Sequence, residues 1–162
     1  MNYFLERFLI QLMIMEKIIL GNDLEICRIL NGMWQVAGGH GQIDSELAIQ
    51  DMRKYQKLGF TTWDLADIYG PAESLIGDFN KRTEKKFQAF TKFVPNPGPM
   101  SNNIVTHYID ESLKKMNVDC IDLLQFHWWD YRDSNYLDAL KHLTKLQIEG
   151  KIKHLGLTNF DT

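Results

Sequence analysis

Five polar or aromatic side chains recur along this sequence at nearly constant spacing, each where a strand is predicted to end. Between them, short apolar and β-branched runs alternate with helix-length segments. Helix-length connections between short strands indicate parallel pairing with right-handed crossovers. The chain is therefore predicted to be an α/β protein. The five positions are Trp34, Asp64, Lys92, His127 and Asn159, which lie 30, 28, 35 and 32 residues apart.

The alternation predicts an N-terminal hairpin, four helices and five parallel strands. In the hairpin, Gly21-Asn22-Asp23 supplies a turn between the apolar runs 17–20 and 24–30. Asp44 and Ser101 are residue types that cap helices, and Pro71 suits a first helical turn. The helices are predicted at 44–58, 71–79, 101–116 and from 134 or 135 to 149, and the strands at 28–35, 60–63, 87–92, 120–126 and 152–157. In the first helix Ala48, Met52, Tyr55 and Leu58 are predicted to share one face.

The average spacing of about 31 residues is that of one unit of a (β/α)8 barrel, whose active site lies at the carboxyl ends of its strands. A doubly wound open sheet also binds ligands at those ends. The stretch Gly38-Gly39-His40-Gly41 does not match GxGxxG, so the dinucleotide fingerprint of such sheets is absent. At 162 residues, the chain is shorter than the roughly 250 residues of a whole barrel.

Composition and cysteine usage exclude several classes of function. The 18 basic and 21 acidic residues give a net charge of −3, so neither nucleic acid nor a membrane is expected as a partner. Cys27 and Cys120 form no CxxC pair, and the five histidines show no metal-ligand spacing with carboxylates. The sequence therefore predicts a metal-free protein of the reducing cytoplasm.

Residues 1–15 are apolar but interrupted by Glu6, Arg7 and Gln11. They lack the basic start and the small cleavage-site residues of a signal peptide, and they fall short of a membrane span. We expect 1–15 to be an N-terminal extension and 16–162 to be the folded domain.

The strand ends carry groups suited to proton transfer. Lys92 closes an apolar strand, where its charge needs a partner, and Asp64 on the preceding strand is the natural counter-ion. Tyr69 follows in the next loop, and a nearby ammonium makes a phenol a better acid. His127 can donate a hydrogen bond to a substrate oxygen. Taken singly, each residue also has an ordinary explanation: a loop or cap residue, a surface lysine, a packing tyrosine or a core histidine.

Several ordered motifs resemble the aldo/keto reductase family from about Cys27 to the last residue. Residues 63–73 (WDLADIYGPAE) are similar to the family segment with the catalytic Asp and Tyr, and 91–92 (TK) to the end of the strand with its Lys. Residues 121–128 (IDLLQFHW) are similar to the segment with its His, and 150–160 (GKIKHLGLTNF) to its fifth strand. The short stretch NGMW that ends at Trp34 is similar to the end of its first strand.

The resemblance implies a TIM barrel that reduces aldehydes or ketones. By this likeness, Tyr69 would be the general acid that protonates the carbonyl oxygen. Lys92 would strengthen that acid and Asp64 would hold Lys92 in place. His127 would orient the carbonyl group of the small-molecule substrate.

The resemblance also implies NADPH as the cofactor. Thr158 and Asn159 correspond to the usual Ser-Asn pair that holds the nicotinamide carboxamide, and Thr keeps the hydroxyl group. Met33 would contact the cofactor. Trp34 and Trp128 would line the substrate pocket.

The chain departs from the family in its extent, because the family's barrel has three more strands and helices. We therefore expect an incomplete TIM (β/α)8 barrel with about five parallel strands and four helices after the hairpin. The alternative to an active reductase is a catalytically inactive remnant, or a half-barrel that needs a complementary C-terminal half. Unpaired edge strands are open to association with another chain.

Overall fold

The computed structural model describes residues 15–39, 41 and 43–161. The predicted 1–15 extension therefore lies outside the described residues except for Met15. A two-stranded antiparallel hairpin precedes a five-stranded parallel sheet. In chain order the strands are β1 (Lys17–Leu20), β2 (Leu24–Cys27), β3 (Asn31–Gly32), β4 (Thr62–Asp64), β5 (Gln88–Phe93), β6 (Ile121–His127) and β7 (Ile152–Thr158).

Four α-helices connect the parallel strands. They are α1 (Ser45–Lys57), α2 (Ala72–Asn80), α3 (Asn102–Met116) and α4 (Tyr136–Ile148). The sheet order is β3-β4-β5-β6-β7, and every neighbouring pair is parallel. The predicted α/β class and the succession of strands and helices are thus confirmed.

The starts of α1 and α3 follow the predicted capping chemistry. The Asp44 carboxylate accepts hydrogen bonds from the backbone N–H groups of Glu46 and Leu47, and the Ser101 hydroxyl accepts one from Ile104. These bonds satisfy amide groups that have no partner within the helix.

One local prediction was wrong. The strand predicted at 28–35 contains only the two residues of β3, and Trp34–Ala37 forms a 3-10 helix that ends at Gly38 with a φ of 98°. The Met33 N–H donates to Asp64 O, after which the Val36 N–H turns back to Met33 O. In α1, Ile49 and Met52 are buried, whereas Tyr55 is exposed, as is Leu58 just after the helix. Of the four residues predicted to share one face of this helix, Met52 is therefore the buried one.

The two faces of the sheet are covered differently. The main apolar core packs one face against the four helices. On the other face, Leu24 and Ile26 of the hairpin pack against Phe90 of β5 and Leu123 of β6. Because side chains alternate along a strand, Gln125 and His127 of β6 point to the same face as Leu123. The hairpin thus covers the lower part of this face and leaves polar side chains at its carboxyl edge. No helix in the described part of the chain is long and apolar enough to cross a membrane.

Gly77 is expected to be indispensable for the packing of α2 on α3. A Cβ atom at Gly77 would overlap the carbonyl oxygen of Lys115, so an alanine would force the two helix backbones apart. We expect Gly77→Ala to lower the free energy of unfolding by about 3 kcal/mol. Urea unfolding followed by tryptophan fluorescence measures the loss. The control is Gly156→Ala, whose Cβ would meet no atom closer than 3.5 Å. Equal stability of the two variants would contradict the prediction.

Candidate active site

Lys92 lies at the centre of the polar edge of the sheet. It is a buried residue of β5, and its Nζ donates to both carboxylate oxygens of Asp64 at 2.7 Å and to the carbonyl oxygen of Leu65 at 2.9 Å. Adjacent parallel strands carry the two side chains to the same edge. The three acceptors satisfy all three N–H groups of the ammonium and compensate for its loss of water.

Tyr69 lies in the turn between β4 and α2. The turn is held by hydrogen bonds from Tyr69 N–H to Ala66 O and from Ala72 N–H to Tyr69 O. The Lys92 Nζ lies 5.1 Å from the centroid of the Tyr69 ring, within the range of a cation–π contact. The Trp34 ring meets the Tyr69 ring edge-on, with 5.0 Å between the two ring centroids. The phenol ring thus has both an ammonium and an indole as neighbours.

His127 ends β6 and faces the same edge. Its Nε2 is buried and has no hydrogen-bond partner among the described residues. Burial lowers the pKa of His127, and the positive charge of Lys92 lowers it further. The imidazole is therefore neutral at neutral pH, where one of its nitrogens carries a proton that it can donate.

Gln125 joins this group, although sequence reasoning did not single it out. It pairs with Lys92 across the β5–β6 register, and its Nε2 donates to Asp64 Oδ1 at 3.0 Å. Its Oε1 accepts from the Thr158 hydroxyl at 3.2 Å. The signal was available, because Gln125 precedes His127 by two residues in one strand and so points to the same face.

Thr158 and Asn159 follow at the end of β7. Thr158 is paired with His127 in the sheet register. Asn159 has a φ of 66°, in the left-handed region that asparagine tolerates. Its Nδ2 donates to Trp128 O at 2.9 Å, and the Tyr131 hydroxyl donates to its carbonyl oxygen. The loop after β6 therefore holds Asn159 in a fixed conformation.

The remaining predicted site residues differ in where the structure places them. Trp34 is 55% exposed and its ring packs edge-on against that of Tyr69. Trp128 is fully buried, and its indole N–H donates to Asp130 O and Asp133 O. The structure therefore does not bring the Trp128 side chain to the polar edge. Instead Trp129, 57% exposed, lies with its ring centroid 4.1 Å from that of His127.

The Met33 side chain is buried in the main core, and its backbone N–H is tied to Asp64 O. Its contact with the edge of the site is thus through the backbone. Among the described residues, no three His, Cys, Asp or Glu side chains are grouped so that they could hold a metal ion.

Two carboxylates, the half-buried Asp67 and the buried Glu73, support the turn that carries Tyr69. The Asp67 N–H donates to Lys92 O, and Asp67 Oδ2 accepts from the Val94 N–H at 3.1 Å, so Asp67 fastens the turn to β5. Glu73 accepts from the Thr91 hydroxyl at 2.8 Å and lies 3.5 Å from Lys115 Nζ. Burial raises the pKa of Asp67 to about 6 despite the hydrogen bond from Val94, and the charge of Glu73 contributes to the rise.

Asp67→Asn is expected to stabilise the protein at neutral pH. The carboxyl pKa is raised on folding from 3.8 to about 6, so the favourable contribution of Asp67 is present at low pH and is lost as the pH rises through 6. Full ionisation of Asp67 then costs about 3 kcal/mol. Asparagine can keep the acceptor for the Val94 N–H without the charge. We expect the variant to exceed the parent by about 1–3 kcal/mol at pH 7.5 and the difference to shrink toward pH 4.

Urea unfolding at several pH values tests this. Asp78→Asn is the matched control, because Asp78 is an exposed α2 carboxylate paired with Lys81. A stability difference between Asp67→Asn and the parent that does not change with pH would contradict the prediction.

The fold and these side chains define a parallel α/β protein with a Tyr-Lys-Asp-His cluster at the carboxyl edge of its sheet. Residues 28–162 match the Aldo/keto reductase family. The chain belongs to the aldo/keto reductase family.

Similar curated proteins agree with this membership. The chain is 32% identical to a 6-dehydroglucose reductase of Agrobacterium fabrum in an alignment of 172 positions, which covers 90% of this chain and 54% of the relative. It is 30% identical over 132 residues to methylglyoxal reductase DkgA of Escherichia coli O157:H7, covering 80% of this chain and 46% of the relative. The chain thus spans about half the length of these curated relatives.

A solved structure confirms the fold. The aldo/keto reductase from Klebsiella pneumoniae in complex with NADP and acetate superposes with a TM-score of 0.75 at 22% identity, covering 92% of this chain and 51% of that chain. The described sheet and helices therefore correspond to part of a TIM barrel, as expected of an incomplete (β/α)8 barrel.

Proposed function

We propose that this chain carries the proton-transfer half of an NADPH-dependent reductase that converts aldehydes or ketones to alcohols. The observation that carries the proposal is the buried Lys92 ammonium, which is held by both Asp64 oxygens beside the Tyr69 ring. A buried ion pair adds little net stability by itself. Its position next to a phenol in an aldo/keto reductase favours a catalytic role.

In the proposed reaction Tyr69 is the general acid. The phenol gives its proton to the carbonyl oxygen as negative charge develops there. The Lys92 ammonium stabilises the phenolate that remains, and the ion pair with Asp64 keeps the ammonium in position. The neutral imidazole of His127 donates a hydrogen bond from its buried Nε2 to the same oxygen and orients the substrate.

The residues at the end of β7 fit the nicotinamide group of NADPH. Thr158 and Asn159 place a hydroxyl and an amide beside His127, and such groups suit a carboxamide. Met33 would contact the cofactor at the end of β3. Hydride for the carbonyl carbon is what NADPH supplies when bound. The complex of the Klebsiella pneumoniae relative with NADP supports this choice of cofactor.

The substrate pocket is proposed to lie between the indoles of Trp34 and Trp129. Each is exposed and packs on a proposed catalytic ring, Trp34 on Tyr69 and Trp129 on His127. Trp128 would support this wall from the core. We also propose a cytoplasmic location, because Cys27 and Cys120 are both free thiols, which a reducing compartment maintains.

NADPH oxidation in the presence of an aldehyde panel tests the function. The purified chain is assayed alone and co-expressed with the C-terminal half of the Agrobacterium fabrum relative, because this chain spans 54% of that protein. Aldehyde-dependent NADPH oxidation in either preparation supports the proposal. No turnover in either preparation contradicts it and favours the alternative, a non-catalytic half-barrel.

A further inference from the structure

Gln125 bridges the two halves of the proposed site. Its side-chain amide lies between Asp64, which holds the catalytic lysine, and Thr158, which faces the nicotinamide position. The sheet register places Gln125 directly between Lys92 on β5 and Gly156 on β7. One amide therefore contacts both the proton-transfer group and the proposed cofactor site.

The direction of these hydrogen bonds follows from chemistry. Asp64 is ionised against Lys92, and an ionised carboxylate can only accept hydrogen bonds. The Gln125 nitrogen must therefore face Asp64, which turns the amide oxygen toward Thr158. That oxygen can only accept, so Thr158 must donate its single hydroxyl proton to Gln125. The lone pairs of Thr158 Oγ1 are then the groups it offers to a ligand.

Asn159 is oriented by the same logic. The carbonyl oxygen of Trp128 can only accept, so the Asn159 nitrogen faces it and the amide oxygen points away. Thr158 and Asn159 consequently both present oxygen acceptors at the end of β7. A primary carboxamide carries an NH2 group with two donors, which matches two acceptors.

We propose that Gln125 is a positioning residue that sets Thr158 as a hydrogen-bond acceptor, so that the site selects the NH2 group of a primary carboxamide. This inference rests on the proposed function, because the carboxamide is that of the nicotinamide cofactor. Gln125 acts through Thr158 and touches neither the substrate nor the reacting atoms. Without Gln125 the Thr158 hydroxyl is free to rotate and can donate as well as accept.

The test compares the binding of NADP⁺ with that of its 3-acetylpyridine analogue, in which a methyl ketone replaces the carboxamide. Dissociation constants come from quenching of tryptophan fluorescence in the preparation that shows turnover or, failing that, in the chain alone. We expect the parent to bind NADP⁺ about tenfold more tightly than the analogue, the effect of about one hydrogen bond to a committed acceptor. Gln125→Leu and Thr158→Val should each reduce this preference to about twofold or less.

The ratio of the two dissociation constants distinguishes a positioning role from a general distortion of the site, because a distorted site binds both ligands more weakly by the same factor. Gln147→Leu is the matched control, because Gln147 donates to Lys153 O at the end of α4, and it should keep the tenfold preference. Thr158→Ser, which retains a hydroxyl group, should also keep it. An undiminished preference in Gln125→Leu overturns the inference. Equal binding of both ligands by a parent that reduces carbonyls also overturns the inference, but it does not contradict the proposed function. Binding of neither ligand overturns both this inference and the cofactor site.

Discussion

Tyr69→Phe is expected to lower kcat for NADPH-dependent carbonyl reduction by about 10²–10⁴-fold, which is the rate enhancement that a general acid usually provides. Phenylalanine keeps the ring beside Lys92 and Trp34 and removes only the hydroxyl group. Because that group is the proposed proton donor, the loss should fall on kcat, while NADP⁺ affinity remains near that of the parent. Steady-state assays and fluorescence titration measure the two quantities separately.

Tyr108→Phe is the control for removing a tyrosine hydroxyl elsewhere. Tyr108 lies on α3, where its exposed ring packs against Phe93. Its replacement should leave kcat within about twofold of the parent, because exposed surface substitutions have small effects. Retention of more than a tenth of the parent kcat by Tyr69→Phe would show that another group supplies the proton.

Pattern and capping chemistry predicted the parts of the fold that depend on local sequence. The hairpin turn at 21–23, the caps at Asp44 and Ser101 and the alternation of strands with helices follow from residue types in the first place. The placement of Lys92 beside Asp64 followed from parallel topology, which carries the ends of neighbouring strands to one edge. The turn, the caps and the alternation need no knowledge of distant contacts, and the Lys92–Asp64 placement needs only the order of the strands.

The parts that depend on tertiary contacts could not be predicted in the same way. The resemblance to the family implies Trp128 as a pocket residue, but β6 and its strand alternation end at His127. Beyond that point Asp130 O and Asp133 O hold the Trp128 indole N–H in the core, and Trp129 takes the place beside the histidine. The 3-10 helix at 34–37 depends likewise on Met33 N–H meeting Asp64 O, 31 residues away along the chain.

Gln125 was missed for a different reason. Gln125 lies among the apolar residues of β6, and a polar residue in such a run attracts little attention when the run is judged by hydrophobicity. Its importance lies in the partners on both sides, Asp64 and Thr158, which come from β4 and β7. A check of every second residue back from a strand-end histidine would have selected it.

Lys92→Met is expected to lower the free energy of unfolding by about 2–3 kcal/mol. Methionine removes the ammonium and leaves Asp64 with its charge and Leu65 O without its donor. Breaking a fully buried ion pair costs about 3–5 kcal/mol, and the Asp64 side chain is 30% exposed and keeps its bond from Gln125, which reduces the figure. Urea unfolding of the parent and the variant measures the loss.

The charge left on Asp64 is the main cause of that loss, and a double-mutant cycle isolates it. Asp64→Asn combined with Lys92→Met removes both charges, so the double variant should recover about 1–2 kcal/mol relative to Lys92→Met alone. Lys54→Met breaks the exposed pair with Asp51, also 2.7 Å long, and should cost less than about 0.5 kcal/mol. The two ion pairs have the same length and differ in burial. If Lys92→Met loses no more stability than Lys54→Met, the prediction is contradicted. That result would mean that water solvates the Asp64 carboxylate well enough for it to remain charged without the lysine. Lys92 would then serve catalysis without stabilising the fold.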